Sequence, residues 1–234
     1  MSSKGKIVVI EGTDFSGKST QYEKTIEVLK SKGYVFGSDS FPNYDSNSSY
    51  FVTSYLRGEF GKDAMSVKPK VASTFYALDR YASFKQRPWG EIYREGGNVL
   101  FARYLTSNIL HQTSKYDTWE EKKEFIDWLY DFECNLLEIP KEDCVILLNM
   151  PPEKAQELKQ HRLKEQNGLS SNGSEKDIHE ENTEYLKKTY ETALEVAKYL
   201  GWSVVDCIDK DGNIRSIEDI NSEIVEIVEN IFSK

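Results

Sequence analysis

The sequence predicts an α/β fold of three layers, in which helices cover both faces of a central parallel sheet of about five strands. Short apolar runs with the character of buried strands occur near residues 6–11, 98–101, 144–148 and 202–206, and amphipathic helical patterns separate them. No linker rich in Pro, Gly or Ser interrupts the 234 residues, which favours a single domain over residues 1–234.

The stretch after the first strand carries the clearest functional motif. Residues 12–20 match G-x-x-x-x-G-K-[ST] between an apolar strand and a helical pattern. The two glycines allow main-chain amides to turn toward a polyphosphate, Lys18 adds a positive charge, and Ser19 offers a hydroxyl to Mg²⁺. We interpret the motif as the ATP cradle of a P-loop NTPase fold, formed by Gly12, Thr13, Asp14, Phe15, Ser16, Gly17, Lys18, Ser19 and Thr20.

The remaining elements follow in order along the chain. The helix after the cradle ends at Gly33, an extended piece covers residues 38–41 up to Pro42, and residues 43–49 form a polar loop. Further helices are predicted over residues 50–56, 70–84, 88–95, 118–137, 152–162 and 178–200, and Ser216 caps a last one. Apolar periodicity vanishes between residues 163 and 177, where we expect a mobile flap.

The carboxyl ends of parallel strands meet at one edge of a sheet, and ligands of open α/β folds bind there. The residues that fall at this edge are Gly12, Phe41, Ala102, Arg103 and Asp206. The binding site is therefore expected beside the cradle.

Charge and cysteine content limit the classes of partner. The net charge of -9 argues against a broad nucleic-acid or membrane surface, since both require clustered Lys and Arg. The three cysteines, Cys134, Cys144 and Cys207, have no C-x-x-C spacing, which favours a reducing, cytoplasmic location over a disulfide framework or a zinc site. The first five residues run directly into a strand, and no apolar run has membrane-spanning length, so we expect neither a signal peptide nor a membrane anchor.

Several motifs, in this order and spacing, resemble the thymidylate kinase family of P-loop nucleoside monophosphate kinases. They are Glu11-Gly12-Thr13-Asp14 with Gly17-Lys18-Ser19-Thr20, Phe41-Pro42, residues 55–61, residues 75–80, Arg103-Tyr104 with Thr106-Ser107-Asn108 and His111-Gln112, and Asp177-Ile178-His179-Glu180. The resemblance covers nearly the whole chain. It implies phosphoryl transfer from ATP to dTMP with Mg²⁺, giving dTDP and ADP in nucleotide biosynthesis, and it implies a homodimer.

The resemblance also implies roles for the charged residues. Lys18, Asp14 and Arg103 would be catalytic, with Arg103 on the acceptor phosphate and Asp14 near the sugar hydroxyl and that phosphate. Arg80 would donate to a thymine carbonyl, with Tyr76 or Phe75 stacked on the ring. The residues alone leave two alternatives open: Arg80 as a solvated surface charge, and Asp14 as a turn former.

Other candidates carry similar alternatives. Asn108, His111 and Gln112 either read the base edge or, for Asn108, cap a helix. Phe41 and Pro42 either wall the nucleoside pocket or serve only packing. Arg162 resembles an arginine that contacts ATP, against a solvated helix end. His179 and Glu180 resemble residues near the acceptor sugar. The alternative for His179 is a histidine that only ends a helix and has its hydrogen bonds satisfied there.

Two positions depart from the family pattern. Relatives usually carry Asp where this chain has Ala102, and a lost charge-organising group commonly costs about 10²- to 10⁴-fold in rate. Many relatives also place Arg after Phe-Pro or inside the cradle, where this chain has Asn43-Tyr44 and Phe15. The positive charge would then come from Lys18, Arg103 and Mg²⁺, with Arg57, Lys164 and Lys176 as further candidates. The alternatives are a catalytically impaired nucleotide-binding relative and a kinase for another nucleoside monophosphate.

Overall fold

A computed structural model describes residues 4–63, 65–166 and 183–233, without the side chains of residues 161–166 and 183–185. Its centre is a parallel five-stranded sheet in the order β2-β3-β1-β4-β5. The strands are β1 (Ile7–Gly12), β2 (Gly37–Ser40), β3 (Val99–Ala102), β4 (Cys144–Asn149) and β5 (Ser203–Asp206). Helices cover both faces, so the predicted three-layer α/β/α fold is confirmed.

The helices lie between the strands, as the amphipathic patterns predict. They are α1 (Lys18–Ser31), α2 (Tyr50–Leu56), α3 (Pro69–Gln86), α4 (Pro88–Arg94), α5 (Leu105–Thr113), α6 (Trp119–Tyr130), α7 (Pro152–Gln166), α8 (Thr183–Leu200) and α9 (Ile217–Phe232). Gly33 follows α1 in a left-handed conformation with φ 87°, and the Ser216 hydroxyl accepts from the Asp219 amide at 3.0 Å, so both predicted helix ends are confirmed.

Successive side chains of β1 point to opposite faces of the sheet, and each face has its own hydrophobic core. Ile7 and Val9 point to the face covered by α5, α6 and α8, whereas Val8 and Ile10 point to the face covered by α1 and α9. The side chain of Glu11 therefore belongs to the α5 face. Because parallel neighbours share the pleat, Ala102, which lies opposite Ile10, belongs to the α1 face.

Three stretches differ from the sequence-based expectation. The helix predicted over residues 118–137 ends as an α-helix at Tyr130 and continues as a π-helix over Asp131–Leu136. The predicted polar loop 43–49 contains a 3₁₀ turn at Asn47–Ser49, anchored by hydrogen bonds to the buried carboxylate of Asp79. Helix α7 runs to Gln166, four residues past the predicted end.

Part of the predicted flap and of the following helix lies outside the described residues. This applies to residues 167–177 of the flap and to residues 178–182 of the helix predicted from residue 178. Within the described part of the chain, no helix combines the length and apolar character needed to cross a membrane.

Candidate active site

The predicted cradle forms a tight turn between β1 and α1. Gly17 has φ 83°, a left-handed conformation that side chains disfavour. A Cβ at Gly12 would lie 2.4 Å from the hydroxyl of Ser16, so this glycine is needed for space. The Ser16 hydroxyl is buried without a hydrogen-bond partner among the described residues. The turn thus has the shape and the unused donor expected of a polyphosphate site at a helix N-terminus.

Lys18 is folded back into this turn. Its ammonium donates to the main-chain oxygen of Gly12 at 3.1 Å and is almost fully buried. Burial is the main cause that lowers the pKa of Lys18 to about 7, and the nearby Arg103 charge adds to it. An anion bound in the cradle would restore the charge of Lys18, since an opposite charge favours the protonated amine.

Arg103 joins the end of β3 to the cradle. Its backbone is left-handed with φ 63°, an uncommon conformation for a residue other than glycine. Its guanidinium donates to Asp14 at 2.7 Å and contacts Nε2 of His111 at 3.3 Å. Burial is the largest single influence and raises the pKa of Asp14, but the charges of Arg103, His111 and Lys18 and the hydrogen bond from Arg103 together outweigh it and hold that pKa well below its ordinary value. Asp14 is therefore an ionised partner of Arg103.

Glu11 is a site residue to which the sequence reasoning assigned no role. Its carboxylate is fully buried and accepts from the Tyr104 amide at 3.2 Å and from the hydroxyls of Thr106 at 2.6 Å and Ser107 at 2.8 Å. These donors lie at the start of α5, directly after Arg103. A glutamate at the end of a buried apolar strand is the sequence signal that could have identified it.

A cavity beside the Asp14–Arg103 pair collects most of the predicted acceptor residues. Its lining consists of Asp14, Phe41, Pro42, Tyr44, Leu56, Tyr76, Arg80, Arg103, Tyr104, Ser107, Asn108, His111 and Gln112. The predicted set Phe41, Pro42, Tyr76, Arg80, Arg103, Asn108, His111 and Gln112 is brought together there. The Oε1 of Gln112 is buried without a hydrogen-bond partner among the described residues, as expected of a group that awaits a ligand.

Arg80 lies inside this cavity wall on α3, and the alternative of a solvated surface charge is wrong. The side chain is almost fully buried, and Nε and Nη2 donate to the two oxygens of Glu133 at 2.7 and 2.6 Å. Nη1 donates to the main-chain oxygen of Tyr104 at 3.3 Å. Burial is the largest single influence and lowers the pKa of Arg80, but the charge of Glu133 and its hydrogen bonds, with smaller contributions from Tyr104 and Asp79, together outweigh it, so the net shift is upward.

Asn108 lies in the second turn of α5, whose N-cap is Tyr104, so the helix-capping alternative is wrong. The ring of Phe41 packs 5.6 Å from that of Phe101 and 6.0 Å from that of Tyr104, centroid to centroid. Phe41 thus contributes to the core and to the cavity wall at once. Phe75 is not part of the cavity lining, whereas Tyr76 is, which favours Tyr76 as the stacking residue.

A second hollow lies on the other side of the cradle, against α7. It is bounded by Thr13, Asp14 and Phe15 and by side chains of α7. The ammonium of Lys159 lies 4.4 Å from the centre of the Phe15 ring. A cation on α7 thus reaches the cradle position where the sequence has no arginine. The side chain of Arg162, further along α7, and both His179 and Glu180 lie outside what the structure describes.

Ala102 is buried at the end of β3, and its side chain shares the α1 face with Ile10. An aspartate there would point toward the start of α1 and the cradle. Glu11 cannot replace it, because its side chain points to the opposite face and is occupied by the α5 donors.

Comparison with known proteins identifies the group to which this arrangement belongs. The family model described as "Thymidylate kinase" matches residues 10–219, about nine tenths of the chain. The chain belongs to the thymidylate kinase family. The resemblance read from the cradle, Phe41-Pro42 and the Arg103 segment is thereby confirmed.

Relatives and a solved structure agree with this assignment. The thymidylate kinase of Plasmodium falciparum is 28% identical over 97% of this chain and 91% of its own length. The thymidylate kinase of Schizosaccharomyces pombe is 25% identical over 98% of this chain and 94% of its own length. The structure of thymidylate kinase from Candida albicans matches with a TM-score of 0.66 and 21% identity, covering 98% of this chain and 93% of that one, which supports the fold.

The low pKa of Lys18 predicts that nucleotide binding is coupled to proton uptake. At pH 8 most of the free protein should carry a neutral Lys18, so binding of ATP should take up nearly one proton, and at pH 6 much less. Calorimetry in buffers of different ionisation enthalpy measures this number. Lys18→Arg, which cannot lose its charge, should remove the difference between the two pH values; equal uptake by both proteins would contradict the prediction.

Proposed function

We propose that the cradle and the cavity together transfer the γ-phosphoryl group of ATP to dTMP, giving dTDP and ADP. Membership of the thymidylate kinase family supports the reaction. The observation that carries the assignment of residues is the Asp14–Arg103 ion pair, because it joins the phosphate cradle to the acceptor cavity.

The donor phosphates would occupy the cradle. Main-chain amides of residues 12–20 and the hydroxyl of Ser16 donate to the phosphate oxygens, and Lys18 turns from Gly12 to the transferring group. Arg162 is a further candidate for contact with ATP. Lys159 is a candidate source of the positive charge that relatives obtain from an arginine in the cradle, since it already lies above Phe15.

The acceptor would bind with its phosphate at Arg103 and its base at Arg80. Arg103 can exchange the Asp14 carboxylate for a bidentate phosphate, and Asp14 then accepts from the sugar hydroxyl. A phosphate oxygen of dTMP attacks the γ-phosphorus while the bond to the β-phosphate oxygen breaks and ADP leaves. Tyr76 stacks on the pyrimidine, and Asn108, His111 and Gln112 line its edges. His179 and Glu180 stay candidates for the sugar.

Magnesium fits the donor side of this site. Among the described residues there is no cluster of three or more His, Cys, Asp or Glu that could hold a metal ion alone. Mg²⁺ in such enzymes keeps its waters and binds one or two protein groups plus substrate phosphates. The exposed hydroxyl of Ser19, at the start of α1, is suited to be that group. The ion would neutralise charge on the phosphates.

We also propose a homodimer, supported by an exposed aromatic surface on α2 and α3. The rings of Phe51 on α2, Phe60 in the turn after it and Phe75 on α3 pack with centroids 5.5 to 6.5 Å apart, and Phe51 and Phe60 are exposed. Sedimentation equilibrium should give twice the mass of one chain. Phe51→Glu should dissociate the dimer, whereas Val35→Glu, at another exposed apolar position, should not. A monomeric wild type would refute the proposal.

We also propose a cytoplasmic location, which the three free thiols support.

A coupled assay of ADP formation tests the reaction. We expect dTMP to be the preferred acceptor over dUMP, dGMP and thymidine, and thymidine to be poor because it lacks the phosphate that Arg103 holds. Arg103→Met should lower kcat/KM for dTMP by about 10²-fold or more, as expected for lost charge-assisted hydrogen bonds to a phosphate. Arg94→Met, at the opposite end of the sheet, should not. Preference for another acceptor would refute the assignment.

Ala102→Asp tests the departure from the family pattern. The new carboxylate would face the cradle from β3, where it can orient the metal shell or the acceptor phosphate. We expect kcat to rise by about 10-fold or more with little change in the affinity for dTMP. Single-turnover kinetics separates the chemical step from product release. An unchanged chemical step would show that position 102 does not limit the reaction.

A further inference from the structure

Glu133 organises the part of the cavity that the base would meet. It is fully buried, and its carboxylate accepts from Nε and Nη2 of Arg80 at 2.7 and 2.6 Å. The same carboxylate accepts from Nδ2 of Asn108 at 3.4 Å. One side chain therefore contacts two residues that line the cavity from different helices, Arg80 on α3 and Asn108 on α5.

These contacts determine which atom of Asn108 is available to a ligand. The amide nitrogen faces two groups that can only accept, the Glu133 carboxylate and the main-chain oxygen of Ser73 at 3.3 Å. The opposite amide orientation would set oxygen against oxygen and is excluded. The side-chain oxygen Oδ1 is thus left for the ligand, and no donor among the described residues reaches it.

Arg80 complements this acceptor with donors. Three of its nitrogens each donate one bond to Glu133 or Tyr104, and a guanidinium has five N–H groups, so two remain for the cavity. The wall therefore offers a hydrogen-bond acceptor at Asn108 and donors at Arg80. Thymine and uracil present the matching pattern, an N3–H donor beside the O4 acceptor. Cytosine presents the reverse, an N3 acceptor beside an N4 amino donor.

The π-helix explains how Glu133 reaches this position. An extra residue per turn changes the direction in which the following side chains point, and such segments are frequent at functional sites. Glu133 lies inside Asp131–Leu136, in a chain segment that an uninterrupted α-helix would have turned differently.

We infer that Glu133 is a positioning residue that sets base selectivity, by holding Asn108 as an acceptor and Arg80 as a donor so that the site takes a 4-oxopyrimidine and rejects a 4-aminopyrimidine. The inference rests on the proposed function of the cavity as the site for the acceptor base. Glu133 itself does not line the cavity; it acts through its two partners.

Calorimetric binding of nucleotides to the full chain, without ATP, tests the inference. The wild type should bind dTMP at least about 10-fold more tightly than dCMP, because the wrong pattern leaves buried groups unpaired. N3-methyl-dTMP, which lacks the N3–H donor, should lose a similar factor. Equal affinity for dTMP and dCMP would overturn the inference. Failure to bind any of the three would instead refute the proposed function.

Glu133→Gln is the deciding variant. A glutamine keeps one oxygen that can accept and replaces the other by an amide nitrogen that can only donate, so it cannot satisfy both Arg80 and Asn108 as the carboxylate does. The ratio of dTMP to dCMP affinity should therefore fall at least about 10-fold. Glu124→Gln, the same change at an exposed position of α6, should keep the ratio of the wild type. A role in stability alone would lower the melting temperature of Glu133→Gln and leave this ratio unchanged, which would also overturn the inference.

A second variant, Glu133→Asp, tests the inference if Glu133→Gln does not fold. Glu133→Asp retains the negative charge next to Arg80, but its shorter side chain cannot reach both Arg80 and Asn108. Its affinity ratio should lie between those of the wild type and Glu133→Gln. A folded Glu133→Asp with the ratio of the wild type would contradict the proposed role.

Discussion

The buried carboxylate of Glu11 is the interaction on which both halves of the site depend. It ends the strand that leads into the cradle, and it accepts three hydrogen bonds from the start of α5. Tyr104, the N-cap of α5, supplies no capping side chain. Glu11, at the end of β1, instead places its negative charge and its acceptor oxygens at the N-terminus of this helix. A carboxylate buried without these donors would be costly. The cradle and the Arg103 turn are therefore held in one fixed relation.

The site is built from buried charges that satisfy one another. Asp14 with Arg103 and Arg80 with Glu133 are ion pairs at least three quarters buried, and removing one partner from such a pair leaves an uncompensated charge. The pairs differ in use. In the proposed reaction Arg103 would exchange its carboxylate for a phosphate at the cavity, whereas Arg80 would keep Glu133 and contribute only its remaining N–H groups. The Asp14–Arg103 pair can therefore open to bind a ligand, whereas the Arg80–Glu133 pair keeps the cavity wall in one arrangement.

The sequence predicts much of this arrangement because its signals are local. The cradle motif, the strand ends and most of the helices follow from spacing within a few residues. Glu133 could not be found in that way. It lies 53 residues from Arg80, inside a stretch whose aromatic residues are explained by core packing, and a period of 3.6 residues gives no sign of a π-helix. The partners of Glu11 were likewise hidden from the sequence, because they lie 93 to 96 residues away.

The two faces of the sheet divide the work of the site. Ala102 and the cradle belong to the α1 face, where phosphoryl transfer would occur, whereas Arg80, Asn108 and Glu133 belong to helices on the other face. A lost carboxylate at position 102 therefore removes nothing from the wall that would read the base. Recognition of the acceptor base and the rate of phosphoryl transfer can then change independently. Arg103, at the end of β3, is the residue that would take part in both.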